Sequence, residues 1–157
     1  MATHTLLIRK SKRSGTKGNV TSTLAAWNIA LIDFPFKVGG KTKELYSNSW
    51  LDEHGDDVYI PDELPLESYE LTAKFAYKGN LGTAYSSITA FRQFLTGGDS
   101  QGADLEIYDA RTGIGRQHCY LVDFPEENFF QSNIDEGLEF EVTFKVTDPI
   151  TAVTLSL

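Results

Sequence analysis

The chain has 157 residues, 41% of them hydrophobic, a formal net charge of -8 and a single cysteine. That size supports one substantial core, so a single domain over residues 1–157 is expected, and the lone Cys119 excludes an internal disulfide framework. No apolar run approaches the roughly 20 residues that span a bilayer, and the apolar stretch of MATHTLLIRKSKR is too short for a secretory signal; the expectation is therefore no membrane partner and synthesis in a cytoplasm-like compartment.

Thr5 to Lys10 reads as a first strand. The Gly/Ser/Thr/Lys-rich SKRSGTKGNVTST that follows has no periodicity and is expected to be a mobile loop. Over Leu24 to Ile32, the alternation of Trp27, Ile29 and Leu31 fits a strand, while Leu24, Trp27 and Leu31 also fit a helical turn; we assign a strand. Residues 33–68 are long, turn-rich and weakly periodic, with three prolines. Loops of this length inside a compact domain are uncommon. Tyr46, Trp50, Val58, Tyr59 and Ile60 supply aromatic and aliphatic anchors that a disordered segment normally lacks. The segment either folds back over its own domain or reaches a neighbouring subunit.

YELTAKFAY then places Tyr69, Leu71, Ala73, Phe75 and Tyr77 on one side and Glu70, Thr72 and Lys74 on the other, the pattern of a half-buried strand. Beyond Gly79-Asn80, the spacing of Ala84, Ile88, Phe91 and Leu95 predicts an amphipathic helix over about 84–96, with Ser86 as N-cap and Gly97-Gly98 as the left-handed stop. Phe91 and Leu95 are expected to pack on Phe75, Phe140, Val142 or Phe144. ADLEIYD and RQHCYLVDF read as a hairpin about a Gly-rich turn at 110–115, NFFQSNIDEG as a connection, and LEFEVTFKV as a strand with one buried and one wet face, ended by Pro149. The fold class that follows is mainly β: a β-sandwich or split β-barrel of about six to seven strands, with one α-helix packed on it and a long extended loop.

No residue pattern points to catalysis, and no enzyme activity or cofactor is expected. His118 and Cys119 are strand neighbours whose side chains point to opposite faces, so they do not form a nucleophile-base pair. The glycines of RTGIGR do not join a strand to a helix in a βαβ unit and read as turn glycines. The run DEHGDD offers Asp52, Glu53, His54, Asp56 and Asp57, but it lacks the ligand spacing of an EF-hand loop and we assign no metal to it. The Glu126-Glu127 doublet has no partner across a recognisable cleft.

Charge is unevenly distributed. Residues 1–43 carry eight basic and one acidic residue, whereas residues 44–157 carry six basic and twenty-one acidic. The basic cluster lacks the interleaved aromatics of a nucleic-acid surface.

The order of features resembles the small structural proteins of long-tailed phage tails: tail-tube proteins and the N-terminal ring domain of distal tail proteins. FPFKVGGKTKELYSNSWLDEHGDDVYIP corresponds to their long loop, YELTAKFAYKG to a core strand, AYSSITAFRQFLTGG to the helix, and LEIYDARTGIGRQHCYLV with LEFEVTFKVTDP to later strands. The resemblance implies a virion protein that assembles into rings, usually hexameric, contacts adjacent tail proteins and lines a channel through which DNA passes without specific binding. It leaves tube, distal-ring and tail-completion roles open. The subunit-interface candidates are Tyr46, Trp50, Asp52, Glu53, Asp56, Asp57 and Tyr59 on the loop, with Lys12 and Arg13 as basic counterparts. The competing expectation is a monomeric β-sandwich binding module that holds carbohydrate or a protein ligand on Tyr46, Trp50 and Tyr59.

Overall fold

The computed structural model describes residues 4–125, 130–131 and 138–157. The strands among them are β1 (Leu6–Ser11), β2 (Thr21–Ser22), β3 (Ile29–Asp33), β4 (Ser47–Asn48), β5 (Asp57–Val58), β6 (Tyr69–Tyr77), β7 (Asp104–Asp109), β8 (Ile114–Asp123), β9 (Phe130–Gln131) and β10 (Leu138–Val146). Two helices accompany them, α1 (Thr23–Trp27) and α2 (Ala84–Thr96). Seven strands form one antiparallel sheet in the order β2-β1-β7-β8-β10-β6-β3, and β9 also pairs with β10. The sheet curls into a half-barrel. A bridge links its two sides: the Leu31 amide donates to the His4 carbonyl at 2.9 Å, so the approach to β1 touches β3. The architecture is thus one continuous curled sheet, the barrel form of the expected fold.

Alternation decides which face is inside. Along β10, Leu138, Phe140, Val142, Phe144 and Val146 are buried; across the β6 ladder Phe140 lies opposite Phe75, Val142 opposite Ala73 and Phe144 opposite Leu71. These side chains line the concave face. Into it α2 lays Ala84, Ile88, Phe91 and Leu95, all buried in the same cluster. The Phe91 ring has its centroid 5.2 Å from Trp27, 5.5 Å from Phe75, 6.3 Å from Phe124 and 6.4 Å from Phe140. The tilted and edge-on angles avoid face-to-face quadrupole repulsion.

Both ends of α2 are fixed. Ser86, expected as its N-cap, lies inside the helix. The start is set by a 3-10 turn over Leu81–Thr83, where the Asn80 side chain accepts from the Gly82 amide at 2.8 Å. Tyr77 Oη shares a hydrogen bond with Thr83 Oγ1 at 2.7 Å. At the other end Gly97 adopts φ 80°, and the Gly98 amide returns to the Gln93 carbonyl at 2.9 Å. Buried Lys10 donates from Nζ to the Phe94 carbonyl (2.8 Å) and to both Asp99 carboxylate oxygens (2.6 and 2.7 Å), placing a cation where the helix dipole favours one.

Two other expectations need revision. Residues 24–32 are not one strand: Ser22 caps the single turn of α1, and Asn28 in the left-handed conformation (φ 57°) ends it before β3 begins. The segment after β1 is a closed turn, with Lys12 N–H bonded to the Thr16 carbonyl and Gly18 N–H to the Lys10 carbonyl, and it leads into β2. The last residues return to the sheet: Ala152 bridges Arg116, and Leu155 is buried. This return explains Gly115, since a Cβ there would sit 1.6 Å from the Val153 carbonyl oxygen. Most of the NFFQSNIDEG connection, and the Glu126-Glu127 doublet, lie outside the described residues.

Candidate functional site

The long segment between β3 and β6 is a projecting arm. Its root is a two-stranded contact: Thr42 bridges Leu66, Lys43 N–H donates to the Pro65 carbonyl (2.8 Å) and Glu67 N–H to the Lys41 carbonyl (2.7 Å). Further out, β4 pairs with β5 as a separate two-stranded sheet, Ser47 opposite Val58 and Asn48 opposite Asp57. The tip is organised internally. Trp50 Nε1 donates to Asp57 Oδ2 at 3.0 Å, the Glu53 amide reaches the Trp50 carbonyl at 3.3 Å, and Gly55 turns with φ 74°.

Every residue from Tyr46 to Ile60 is exposed. Tyr46 and Tyr59 each expose 78% of their surface and Trp50 exposes 53%. Leu51, Ile60 and Leu64 are exposed as well. From Tyr46 to Ile60 the arm therefore does not lie buried against its own domain. Large exposed apolar patches are characteristic of association surfaces.

Arg116 holds the root of the arm on the barrel. Only 8% exposed, it donates from Nη2 to the Val38 carbonyl (2.9 Å) and the Lys37 carbonyl (3.4 Å), from Nη1 to the Gly115 carbonyl (2.9 Å) and from Nε to Tyr69 Oη (3.1 Å). Lys37 Nζ in turn donates to the Glu70 carbonyl at 2.7 Å and sits over the Tyr69 ring. A planar guanidinium with its donors committed to backbone carbonyls on two segments is a stiff bracket. Sequence reasoning passed over Arg116. Its signal in the sequence was no more than an arginine directly after Gly115 at the start of RQHCYLVDF.

The candidate residues fall in two places. Tyr46, Trp50, Asp52, Glu53, Asp56, Asp57 and Tyr59 share the outer half of the arm. Lys12 and Arg13 lie exposed on the turn after β1, and among the described residues they form no ion pair with the arm or with anything else. Within one copy the two groups do not meet through any hydrogen bond or ion pair.

His118 and Cys119 point apart. A register shift in the β7-β8 ladder puts His118 at φ 53° and exposed, with Nδ1 2.9 Å from Asp104 Oδ2. Cys119 is buried on the other face, and burial pushes its thiol up to about 12, which suppresses the thiolate at neutral pH. Among the described residues no three His, Cys, Asp or Glu side chains converge as metal ligands, and no helix is long and apolar enough to cross a membrane.

No protein-family model matches the chain, and no curated protein matches it. The half-barrel with an inserted helix and a projecting arm defines a class by architecture alone.

Proposed function

We propose that this chain is a structural protein that assembles with copies of itself into rings, as a component of a phage tail tube or distal tail. The observation that carries the reading is the arm: Tyr46, Trp50, Leu51, Tyr59 and Ile60 stand exposed on a hairpin whose root is bracketed by Arg116, so the arm is aimed but uncovered. A ring contact is heterologous, one surface meeting a different one on the next copy, and a protruding apolar and acidic hairpin on a domain that exposes Lys12 and Arg13 elsewhere suits that geometry. The acidic excess of residues 44–157 would also keep DNA phosphate from adhering to a channel wall. On this reading the protein resides in the virion and its other partners are adjacent tail proteins.

The test is association state. The purified chain should form rings or tubes by negative-stain microscopy and light scattering. A chain that stays monomeric at high concentration while binding an oligosaccharide through Trp50 would favour the monomeric binding module instead.

A further inference from the structure

Beside the turn after β1 lies a groove of about 600 Å³, lined by Lys12, Arg13, Gly15, Lys17, Asp104 and His118. It continues into a shallower depression of about 370 Å³ that reaches Tyr120 and Thr147. The groove has a basic end and an apolar end. At the basic end Lys17 is paired with Glu106 at 3.0 Å, Glu106 also pairs with Arg9, and His118 faces Asp104. Lys12 and Arg13 form no ion pair among the described residues. At the apolar end the lining reaches Tyr120, 46% exposed on β8.

We propose that this groove receives the arm tip of a second copy of the chain; the inference rests on the arm being the element of self-association. The complementarity is two-part. The tip carries Asp52, Glu53, Asp56 and Asp57 together, and residues 44–70 hold nine acidic residues and no lysine or arginine. Next to those carboxylates stand the uncovered Tyr46, Trp50 and Tyr59. Lys12 and Arg13 answer the charge, and Tyr120 answers the rings. Of the other basic residues, Lys41 and Lys43 sit in the arm's own root, and Lys37 is committed to Glu70 and Tyr69. The turn after β1 carries two adjacent exposed cations with no ion pair among the described residues, which makes it the receptor that charge favours. Charge would set register and encounter, and ring burial would resist salt.

The experiment is a charge-swap cycle on the full chain. Lys12→Glu/Arg13→Glu reverses the receptor, and Asp52→Lys/Glu53→Lys/Asp56→Lys reverses the tip while sparing the Trp50–Asp57 bond. All five positions are exposed, so circular dichroism and the thermal midpoint should match wild type. Each reversal alone should weaken self-association by about tenfold or more, and the two combined should recover to within about threefold of wild type, since attraction is restored with the signs exchanged. If the combined chain shows the two losses added together, or the receptor reversal changes nothing, the groove is not the receptor, although the arm reading stands. A wild-type chain that is monomeric throughout the concentration series overturns both.

Discussion

Phe91→Ala is the perturbation that the core geometry makes most quantitative. The ring is fully buried and touches the rings of Trp27, Phe75, Phe124 and Phe140. Truncating a buried Phe removes its transfer energy and leaves a cavity, at about 3–5 kcal/mol, and the position in that range depends on whether the walls can close. Here they are stiff. Phe75 and Phe140 are anchored opposite each other in the β6-β10 ladder, while α2 is held at its start through Tyr77 and Thr83 and at its end by Lys10. The expected loss is thus in the upper half of the range, about 4–5 kcal/mol, a fall in Tm of roughly 8–20 °C for a domain of this size. Urea titration followed by fluorescence suits the question because Trp27 sits against Phe91, and the only other tryptophan, Trp50, is on the arm. Gln93→Ala, on the exposed face of the same helix, should stay within about 0.5 kcal/mol. A Phe91→Ala loss below about 1 kcal/mol would mean that α2 does not fill the half-barrel as described.

Removing the bracket at the arm root separates arm placement from core stability. Arg116→Met should cost about 2–3 kcal/mol by stripping the buried Gly115 carbonyl and the part-buried Lys37 and Val38 carbonyls of a charged donor, and trypsin should cut at Lys41 and Lys43 faster than in wild type. Acid should weaken the fold. Burial alone would raise the Glu106 carboxyl, but its bonds to Arg9 and Lys17 hold it below its ordinary value, and the Gln117 side chain with the Thr151 amide holds Asp148 low. Asp99 is likewise kept low by Lys10 against the opposing effect of burial. The unfolded chain then binds more protons than the folded one in acid, so this stability is complete above about pH 5 and lost as pH falls through about 4 and below. Urea midpoints at pH 7 and pH 3.5 should show it, and Glu106→Gln should reduce the difference. Cys119 should ignore a thiol reagent at pH 8 in the folded chain and react at once in denaturant; rapid labelling of native protein would contradict its burial.

What could be read from the sequence was whatever repeats with a simple period. β6, α2 and β10 each set apolar residues on one face over nine or more residues, and the structure places them over Tyr69–Tyr77, Ala84–Thr96 and Leu138–Val146. The β7-β8 hairpin was visible for the same reason. Short elements carry no such signal. One turn of α1 between Ser22 and Asn28 shares Trp27 with either pattern, and Asn28 in the left-handed region is a local event that periodicity does not register. The turn after β1 is closed by backbone bonds, to which Gly/Ser/Thr composition is blind. The arm's length and anchors were legible as an anomaly. Its exposure was not, because a Trp that docks inward and one that stands outward are the same letter. Arg116 and the return of Ala152 to β8 depend on contacts between distant segments and had no local trace beyond Gly115.

The most direct test of the central claim compares the intact chain with one lacking residues 48–57, by light scattering across a concentration series and by negative-stain microscopy. The deletion removes the tip with Trp50 and the acidic cluster and leaves the root, the Arg116 bracket and the half-barrel in place. The intact chain should form rings or tubes and the deleted chain a folded monomer, with an unchanged thermal midpoint. Rings of normal size from the deleted chain, or an intact chain that never associates, would contradict that claim.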